Sequence, residues 1–242
     1  MASGKVIDME PDITQGRLDG VGTPTHSGHG AAGARIADGV RDSILEGAYP
    51  PGTRIRQEDL AERYAASRAP VREALRMLEG EGLITRVANA GAWVSQLSRA
   101  EGEELYRVRE RIEPLLLRMN VPLLTPGTVG ALDELAARME EAADAEEFLA
   151  LDRAFHLTTY AAAETVVLRE TVIRLWNRTH HYRRAFMRVA RVDGADTAVH
   201  LDHHLLVDAL RRQDADEAED VLHRHIRRTR VELARHPEIF AE

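Results

Sequence analysis

Residues 67–82 read SRAPVREALRMLEGEG, and this stretch decides the fold of the N-terminal part of the chain. Its proline is tolerated in the first turn of a helix, where backbone N–H groups have no intrahelical acceptor. Ser67 has the position of an N-cap, and we expect its hydroxyl to accept a hydrogen bond from the amide of Ala69. Gly82 marks the end of the helix. The apolar residues recur at helical spacing and predict a buried face: Val71, Ala74, Leu75 and Leu78.

Three arginines follow another side of this predicted helix. Arg68, Arg72 and Arg76 recur at four-residue intervals, so they share one side of the helix axis. A guanidinium group can pair bidentately with O6 and N7 of guanine, which suits a helix that lies in the major groove of DNA. The same spacing also fits a solvated face with Glu73 and Glu79 as ion-pair partners. Spacing alone leaves both interpretations open.

The flanking residues predict a winged helix-turn-helix over residues 34–97. Helical periodicity precedes the stretch at residues 36–44 and 57–64, and a tight turn separates the second and third helices. The segments LITRV and AWVSQ predict two short strands joined through Asn89, Ala90 and Gly91. Three helices followed by a β-hairpin is the order of a winged helix-turn-helix. Residues 1–33 are rich in glycine and lack apolar periodicity, which predicts a disordered tail.

Composition excludes several kinds of site. The chain of 242 residues has no cysteine, which excludes disulfides, thiolate metal sites and cysteine nucleophiles. The formal charge of −8 lies mainly in the C-terminal part, because residues 34–99 carry a balance of +1 and residues 100–242 a balance of −7. The acidic total therefore does not exclude DNA binding. We found neither an apolar run of the roughly 18 residues that a membrane span needs nor a secretion signal, and we expect a cytoplasmic protein without a membrane partner.

Beyond Leu97 the sequence predicts only helices. Ser98 and Glu101 have the spacing of a capping box, which opens a helix that extends to about Asn120. Further helical patterns occur near residues 128–143, 145–161, 165–190, 196–213 and 215–235. We therefore predict a mainly α protein, in which an all-α bundle over residues 98–242 follows the winged domain.

Polar residues occupy core-facing positions of these predicted helices. Arg109, His203 and His225 each share a face with apolar residues, and Asp152 and His156 lie one helical turn apart. Burying such groups unpaired would cost several kcal/mol each, so they are expected to meet one another or an ion. One carboxylate with three imidazoles suits zinc, nickel or another transition ion. A single inward histidine is more often a hydrogen-bonded core residue, and periodicity does not prove that the four converge.

Other histidines have a different pattern. His200 and His204 are also one helical turn apart, but their face continues through Asp208 and Arg211, which indicates a solvated surface. His223 lies among charged residues, and we interpret it as exposed. We found no partner pattern for the adjacent pair His180 and His181.

The stretch DLAERYAASRAPVREALRMLEGEGLI, residues 59–84, resembles the helix-turn-helix of the GntR superfamily of bacterial transcription regulators. The resemblance implies that Ser67, Arg68 and Arg72 contact operator DNA and that Glu58 lies at another contact position. We add to this DNA-facing set Arg76, two turns into the helix, and Gly91 at the wing tip, which carries no cation.

Residues 100–235 are similar to the FadR-type C-terminal domain, called FCD, on the pattern of Asp152, Phe155 and His156 followed by His203 and His225. This resemblance implies a divalent metal bound by Asp152, His156, His203 and His225 within a helical bundle. It also implies a small carboxylate effector at the open coordination site. Arg109 is expected to pair with the carboxylate of that effector.

Together these patterns predict a transcription regulator and not an enzyme. We expect a homodimer whose two winged helices bind a double-stranded operator, with affinity controlled by the effector near the metal. Two alternatives remain open at this point. A metal ion with open positions could activate water in a metal-dependent enzyme, or the ion could be purely structural in a DNA-binding protein. The patterns do not indicate whether the regulator represses or activates.

Overall fold

The structure is a computed structural model that describes residues 27–87, 91–190 and 197–240. Within these residues single turns of 3-10 helix occur at Val121–Leu123 and Pro237–Ile239. The other elements are α1 (Ser27–Leu45), β1 (Arg54–Ile55), α2 (Gln57–Arg63), α3 (Arg68–Gly80), β2 (Ile84–Val87), β3 (Gly91–Val94), α4 (Arg99–Asn120), α5 (Pro126–Glu141), α6 (Ala145–Thr159), α7 (Leu168–Ala190), α8 (Thr197–Arg211) and α9 (Ala215–Leu233). This order confirms a mainly α protein.

The N-terminal part is a winged helix-turn-helix, as predicted. Helices α1, α2 and α3 bury their apolar faces against a small antiparallel sheet. The wing pairs β2 with β3, for example Thr85 opposite Trp93, and β1 adds a third strand on the other side of β3. The β1 strand was not predicted, because a strand of two residues is too short to produce an alternating pattern.

Helix α1 begins earlier than expected, so the prediction of a disordered tail was wrong for residues 27–33. The remaining residues of that prediction, 1–26, lie outside the described part of the chain. Gly33 is buried where α1 crosses α3, and a Cβ atom there would lie 3.0 Å from Cγ of Glu73. A glycine that permits this close approach of two helices was interpreted as a sign of disorder.

Ser67 precedes α3 with extended backbone angles, φ −74° and ψ 168°, but its hydroxyl forms no capping hydrogen bond. Ser67 is therefore the N-cap residue, as predicted, but the predicted hydrogen bond from the amide of Ala69 is absent. An N-cap serine ordinarily bonds the amide of the second or third helical residue, and here the third is Pro70, which has no amide hydrogen. The end of the helix matches the prediction more closely: Gly82 has a positive φ of 76°, which turns the chain towards β2.

The C-terminal part is a bundle of α4 to α9 around a second apolar core, separate from the first. The predicted capping box opens α4, because Ser98 and Glu101 bond each other's backbone amides. Helix α4 packs along α9, α5 packs against α6 and α8, and α8 packs against α9. No helix of the described residues has the length and apolar character to cross a membrane.

Candidate metal centre and nucleic-acid interface

The predicted DNA-facing residues lie on the exposed side of α3 and next to it. Arg68, Arg72 and Arg76 are all exposed, whereas the apolar face of α3 is buried. Arg76 forms an ion pair with Glu73. Nη2 of Arg68 lies 4.0 Å from Oε1 of Glu58. No ion pair of Arg72 occurs within the described residues, so its guanidinium is the most available of the three.

A polar cleft continues this surface beside the wing. Its lining includes Glu58 and Gly91, two predicted contact residues, together with three cations that sequence analysis did not single out: Arg54, Arg56 and Arg86. Arg54 stacks over the Trp93 ring at 5.7 Å, and Arg86 forms a 3.2 Å ion pair with Glu79. The missed signal was the pair of arginines on either side of the buried Ile55. Asn89 and Ala90 of the wing tip lie outside the described residues.

The structure brings together the four residues predicted to bind a metal. Asp152 and His156 come from α6, His203 from α8 and His225 from α9, and all four side chains are buried. One potential ligand atom from each lies within 4.8 Å of the other three. Oδ1 of Asp152 is 3.6 Å from Nε2 of His156 and 3.4 Å from Nε2 of His203.

The protonation states in this cluster suit a cation. Burial opposes ionisation of Asp152, but the Arg183 guanidinium and the neighbouring imidazoles hold the pKa of that carboxyl well below its usual range. Burial lowers the pKa of His156 well below its ordinary value and lowers the pKa of His203 to about 4. Near neutral pH the cluster therefore combines the Asp152 carboxylate with neutral imidazoles at His156 and His203, which are the forms that bind metals.

A metal ion fits these side chains. Oδ1 of Asp152 is buried without a hydrogen-bond partner among the described residues, although Oδ2 is paired with Arg183. An unpartnered buried carboxylate oxygen is costly unless a cation compensates it. Zinc binds imidazole nitrogen and carboxylate oxygen at about 2.0–2.2 Å, so two ligand atoms of one ion are about 3–4 Å apart. The spacing of this cluster is close to that range.

The other histidines lie elsewhere. His204 is half-buried and pairs with Glu140 at 3.0 Å, and His200 packs its ring against Phe148. Nδ1 of His223 bonds the Glu110 carbonyl at 2.8 Å, so this residue is half-buried and not exposed as predicted. None of these three belongs to the cluster.

Arg109, the predicted effector residue, is buried beside the cluster. Its Nε donates to Glu113 at 2.5 Å, its Nη1 donates to Thr179 at 2.9 Å, and its guanidinium lies against the rings of Tyr106 and Trp176. Glu113 is fully buried and also accepts hydrogen bonds from Tyr160 and Trp176. The arginine is therefore held in one orientation by its own helix and by α7.

Arg183 of α7 is a residue of this site that sequence analysis missed. It pairs with Asp152 and stacks over Trp176, while its Nη1 has no hydrogen-bond partner among the described residues. A small cavity beside the cluster is lined by both arginines together with Tyr106, His156, Trp176, His225, Ile226 and Thr229. The Tyr106 hydroxyl is also buried and unpartnered within the described part of the chain, and burial raises its pKa. Two hydrogen-bond donors are therefore available around this cavity.

A polar connection joins the helix of the cluster to the end of α3. Arg153, next to Asp152 on α6, donates through Nη2 to Oδ1 of Asn177 on α7 at 2.7 Å. Nδ2 of Asn177 then donates to the Glu81 carbonyl at 2.9 Å, directly after α3. The Glu81 carboxylate is held by Arg41 of α1, with both hydrogen bonds at 2.6 Å. Each residue of this connection contacts the next, from the helix of the cluster to the helix-turn-helix.

Comparison with known proteins agrees with this architecture. The model of the bacterial regulatory proteins of the gntR family matches residues 32–94, and the FCD domain model matches residues 104–228. The HTH-type transcriptional regulator McbR of Escherichia coli K12 is 28% identical over 191 residues, covering 75% of this chain and 83% of McbR. The gluconate operon transcriptional repressor of Bacillus subtilis is 28% identical over 193 residues, which are 76% of this chain and 77% of the repressor.

Solved structures show the same fold. The structure of E. coli McbR/YncC superposes with a TM-score of 0.73 at 25% identity, covering 84% of this chain and 97% of that one. A GntR regulator structure from Rhodococcus gives a TM-score of 0.70 at 21% identity, with 84% and 97% covered, and supports the fold alone. The named relatives are regulators and repressors, not enzymes. The chain thus belongs to the GntR family of DNA-binding transcriptional regulators, with an FCD domain after its winged helix-turn-helix.

Proposed function

We propose that this regulator changes its operator affinity when a small carboxylate binds at or near a divalent transition metal ion held by Asp152, His156, His203 and His225. The observation that carries the proposal is the buried cluster of one carboxylate and three imidazoles, with an unpartnered oxygen on Asp152. Zinc and nickel both accept this donor set, which does not choose between them.

The surroundings of the cluster favour an oxygen anion as the ligand. A bound ion supplies positive charge and, where it takes five or six ligands, open coordination positions. Arg109 and Arg183 line the adjoining cavity, and charge-assisted hydrogen bonds to a carboxylate are the strong ones. The unpartnered Nη1 of Arg183 and the Tyr106 hydroxyl are available as donors. We therefore propose that the effector carboxylate binds against these donors, which requires widening of the cavity, because its volume is only about 10 Å³.

For the DNA-facing surface, we propose that Ser67, Arg68 and Arg72 contact bases or phosphates in the major groove. Their exposure at the start of α3 supports this role, because the N-terminal residues of a recognition helix reach the base edges. Arg76 is further from the start and paired with Glu73, so its contribution is smaller. Glu58 and Gly91 complete the proposed contact surface beside the wing.

We further propose that the protein binds its operator as a homodimer. Helix α4 exposes an apolar stripe in which Val108 is 40%, Leu115 46% and Met119 43% exposed. A contiguous apolar patch on a helix face is typical of a protein interface. A second copy with the same stripe would cover it, as in the two-fold dimers that bind palindromic operators. Sedimentation analysis should give about twice the 27.0 kDa chain mass, and a monomeric mass would refute this part of the proposal.

The connection through Arg153, Asn177 and Glu81 supports coupling between the two parts. An effector can shift the equilibrium between two states only by its difference in affinity for them. Movement of α6 on ligand binding would change the hydrogen bond of Asn177 to the end of α3. The DNA-binding conformation would then depend on the ligand.

Operator titrations test the proposal and separate it from a purely structural metal. Four protein ligands are sufficient for a closed structural zinc site. Such a site would leave no coordination position for an effector, so the titrations must exclude it. The titrations use zinc-loaded and chelator-stripped protein, each with and without small carboxylates. We expect at least one carboxylate to change operator affinity in the loaded protein only. If zinc binds but no carboxylate changes the affinity, the metal is structural.

A further inference from the structure

The three imidazoles of the cluster differ in the hydrogen-bond partner of their Nδ1 atom. Nδ1 of His156 and Nδ1 of His203 are buried without a hydrogen-bond partner among the described residues. Nδ1 of His225, in contrast, lies 3.2 Å from Oδ2 of Asp202. Asp202 is not one of the four clustered groups. Within the described part of the chain, His225 is therefore the imidazole of the cluster with a carboxylate behind it.

Asp202 is itself held firmly. It lies on α8, one residue before His203, and is 7% exposed. Arg228, one turn beyond His225 on α9, donates to both of its oxygens, at 2.5 Å to Oδ2 and 3.0 Å to Oδ1. A bidentate arginine fixes the plane of a carboxylate as well as its charge. The oxygen that faces His225 therefore has a defined position.

This arrangement fixes the tautomer of His225. An ionised carboxylate can only accept a hydrogen bond, so Nδ1 of His225 must carry the hydrogen. Its Nε2 then keeps a lone pair, and the ring lies 5.1 Å from the His156 ring and 4.9 Å from the His203 ring between centroids. A carboxylate behind a metal-bound histidine orients the ring and raises its basicity.

We propose that Asp202 is a positioning residue of the metal centre, which presents the Nε2 lone pair of His225 to the ion. This inference rests on the proposed metal site and adds a residue to it. The competing interpretation is that Asp202 serves only to pair α8 with α9 through Arg228. The two interpretations differ in whether loss of the acceptor for His225 or loss of the salt bridge weakens metal binding.

Zinc affinity tests the inference, measured on the full-length protein by competition with a chromophoric chelator. Asp202→Asn should weaken zinc binding by about 10–100-fold, the range for loss of such a partner. Asp202→Glu should recover most of the affinity. Arg228→Gln, which keeps the acceptor for His225, should lose less than Asp202→Asn. Asp208→Asn is the matched control, because Asp208 lies on the same helix, exposed and paired with Arg211 at 2.7 Å, and we expect no change.

A second readout does not need the metal. Nitrogen-15 NMR of the metal-free protein should show His225 protonated at Nδ1 in the wild type and a mixture of tautomers in Asp202→Asn. Wild-type zinc affinity in Asp202→Asn, or equal losses in Asp202→Asn and Arg228→Gln, would overturn the inference and leave the metal site intact. If the wild-type protein binds no zinc, the proposed metal site itself fails.

Discussion

Asn177 on α7 donates a hydrogen bond from its side-chain amide to the carbonyl of Glu81, directly after α3, at 2.9 Å. The oxygen of the same amide accepts from Arg153, whose neighbour in the chain is the clustered Asp152. Asn177 is 3% exposed, so water does not substitute easily for either hydrogen bond. One buried amide therefore links the helix of the proposed metal site to the helix-turn-helix.

Replacement of this amide should affect both stability and coupling. Asn177→Leu preserves the approximate volume but leaves the Glu81 carbonyl and Nη2 of Arg153 without their partner. We expect the free energy of unfolding to fall by about 1–3 kcal/mol, the cost of a buried unsatisfied polar group. Urea denaturation measures this change, with the exposed Glu170→Gln on the same helix as control.

The same variant tests the proposed coupling. A carboxylate that changes the operator affinity of the zinc-loaded wild type should change that of zinc-loaded Asn177→Leu less, measured at a temperature where both proteins are folded. An undiminished response to the carboxylate would show that the coupling takes another route.

Arg72 should be the most sensitive arginine of the DNA-facing helix. It is exposed and forms no ion pair within the described residues, so Arg72→Ala should leave stability unchanged. Loss of a base-contacting arginine costs about 1–3 kcal/mol of binding free energy. Fluorescence anisotropy with an operator selected from random DNA by the wild-type protein measures the loss. Arg76→Ala, which removes an arginine already paired with Glu73, should lose less. Unchanged affinity in Arg72→Ala would mean that this side of α3 does not face DNA.

Much of the fold was predictable because its signals are local. The proline at the start of α3, the capping box of α4 and the apolar periodicities each depend on residues within a few turns of one another. Two of the errors involve distant contacts. Gly33 lies in a glycine-rich stretch that is typical of a flexible segment. The close approach of α1 to α3 nevertheless requires a glycine at this position. The β1 strand exists because Arg54 and Ile55 pair with residues almost forty positions later, which no local pattern reveals.

Metal binding should distinguish two adjacent histidines. His203 is 1% exposed and lies within the cluster, whereas His204 is only half-buried and pairs with Glu140 outside the cluster. His203→Ala should lower the zinc content of the purified protein and weaken zinc binding strongly, because it removes one of four proposed ligands. His204→Ala should retain wild-type zinc content in elemental analysis. The reverse result would show that the ion binds at the opposite face of α8.

The candidate site was predictable only in part, for the same physical reason. Periodicity places Asp152, His156, His203 and His225 on inward faces, but it does not show that three helices direct them to one point. Arg183 shares the face of Val172, Trp176 and Thr179, so its burial was available from spacing. Spacing did not reveal its role, since its partner Asp152 lies 31 residues earlier in the chain.

The histidines where α7 meets α1 predict a pH dependence of stability. Burial lowers the pKa of His180 to about 3 and that of His181 to about 4, against 6.5 for the ordinary side chain. Below about pH 6.5 these two histidines bind protons in the unfolded chain but not in the folded chain. The free energy of unfolding is therefore highest above that pH and decreases as the pH falls. Between pH 6.5 and 5 the loss is at most about 2 kcal/mol for each histidine.

His180→Gln isolates one of these contributions. Nε2 of His180 bonds the Leu45 carbonyl at 2.8 Å, and glutamine retains a donor without titrating. Urea denaturation at pH 7 and at pH 5 should show a smaller decrease in stability for the variant than for the wild type. Equal decreases in the two proteins would mean that His180 does not contribute to the acid sensitivity.

Thermal stability across a panel of small carboxylates, with zinc-loaded and chelator-stripped protein side by side, tests the central claim most directly. A ligand that binds only the folded state stabilises it by RT ln(1 + L/Kd), where L is the free ligand concentration, so the melting temperature rises with that concentration. We predict that at least one carboxylate raises the melting temperature of the loaded protein and leaves that of the stripped protein unchanged. If no compound changes the melting temperature and chelation has no effect on it, the metal-dependent effector site is contradicted, while the assignment to the GntR family stands.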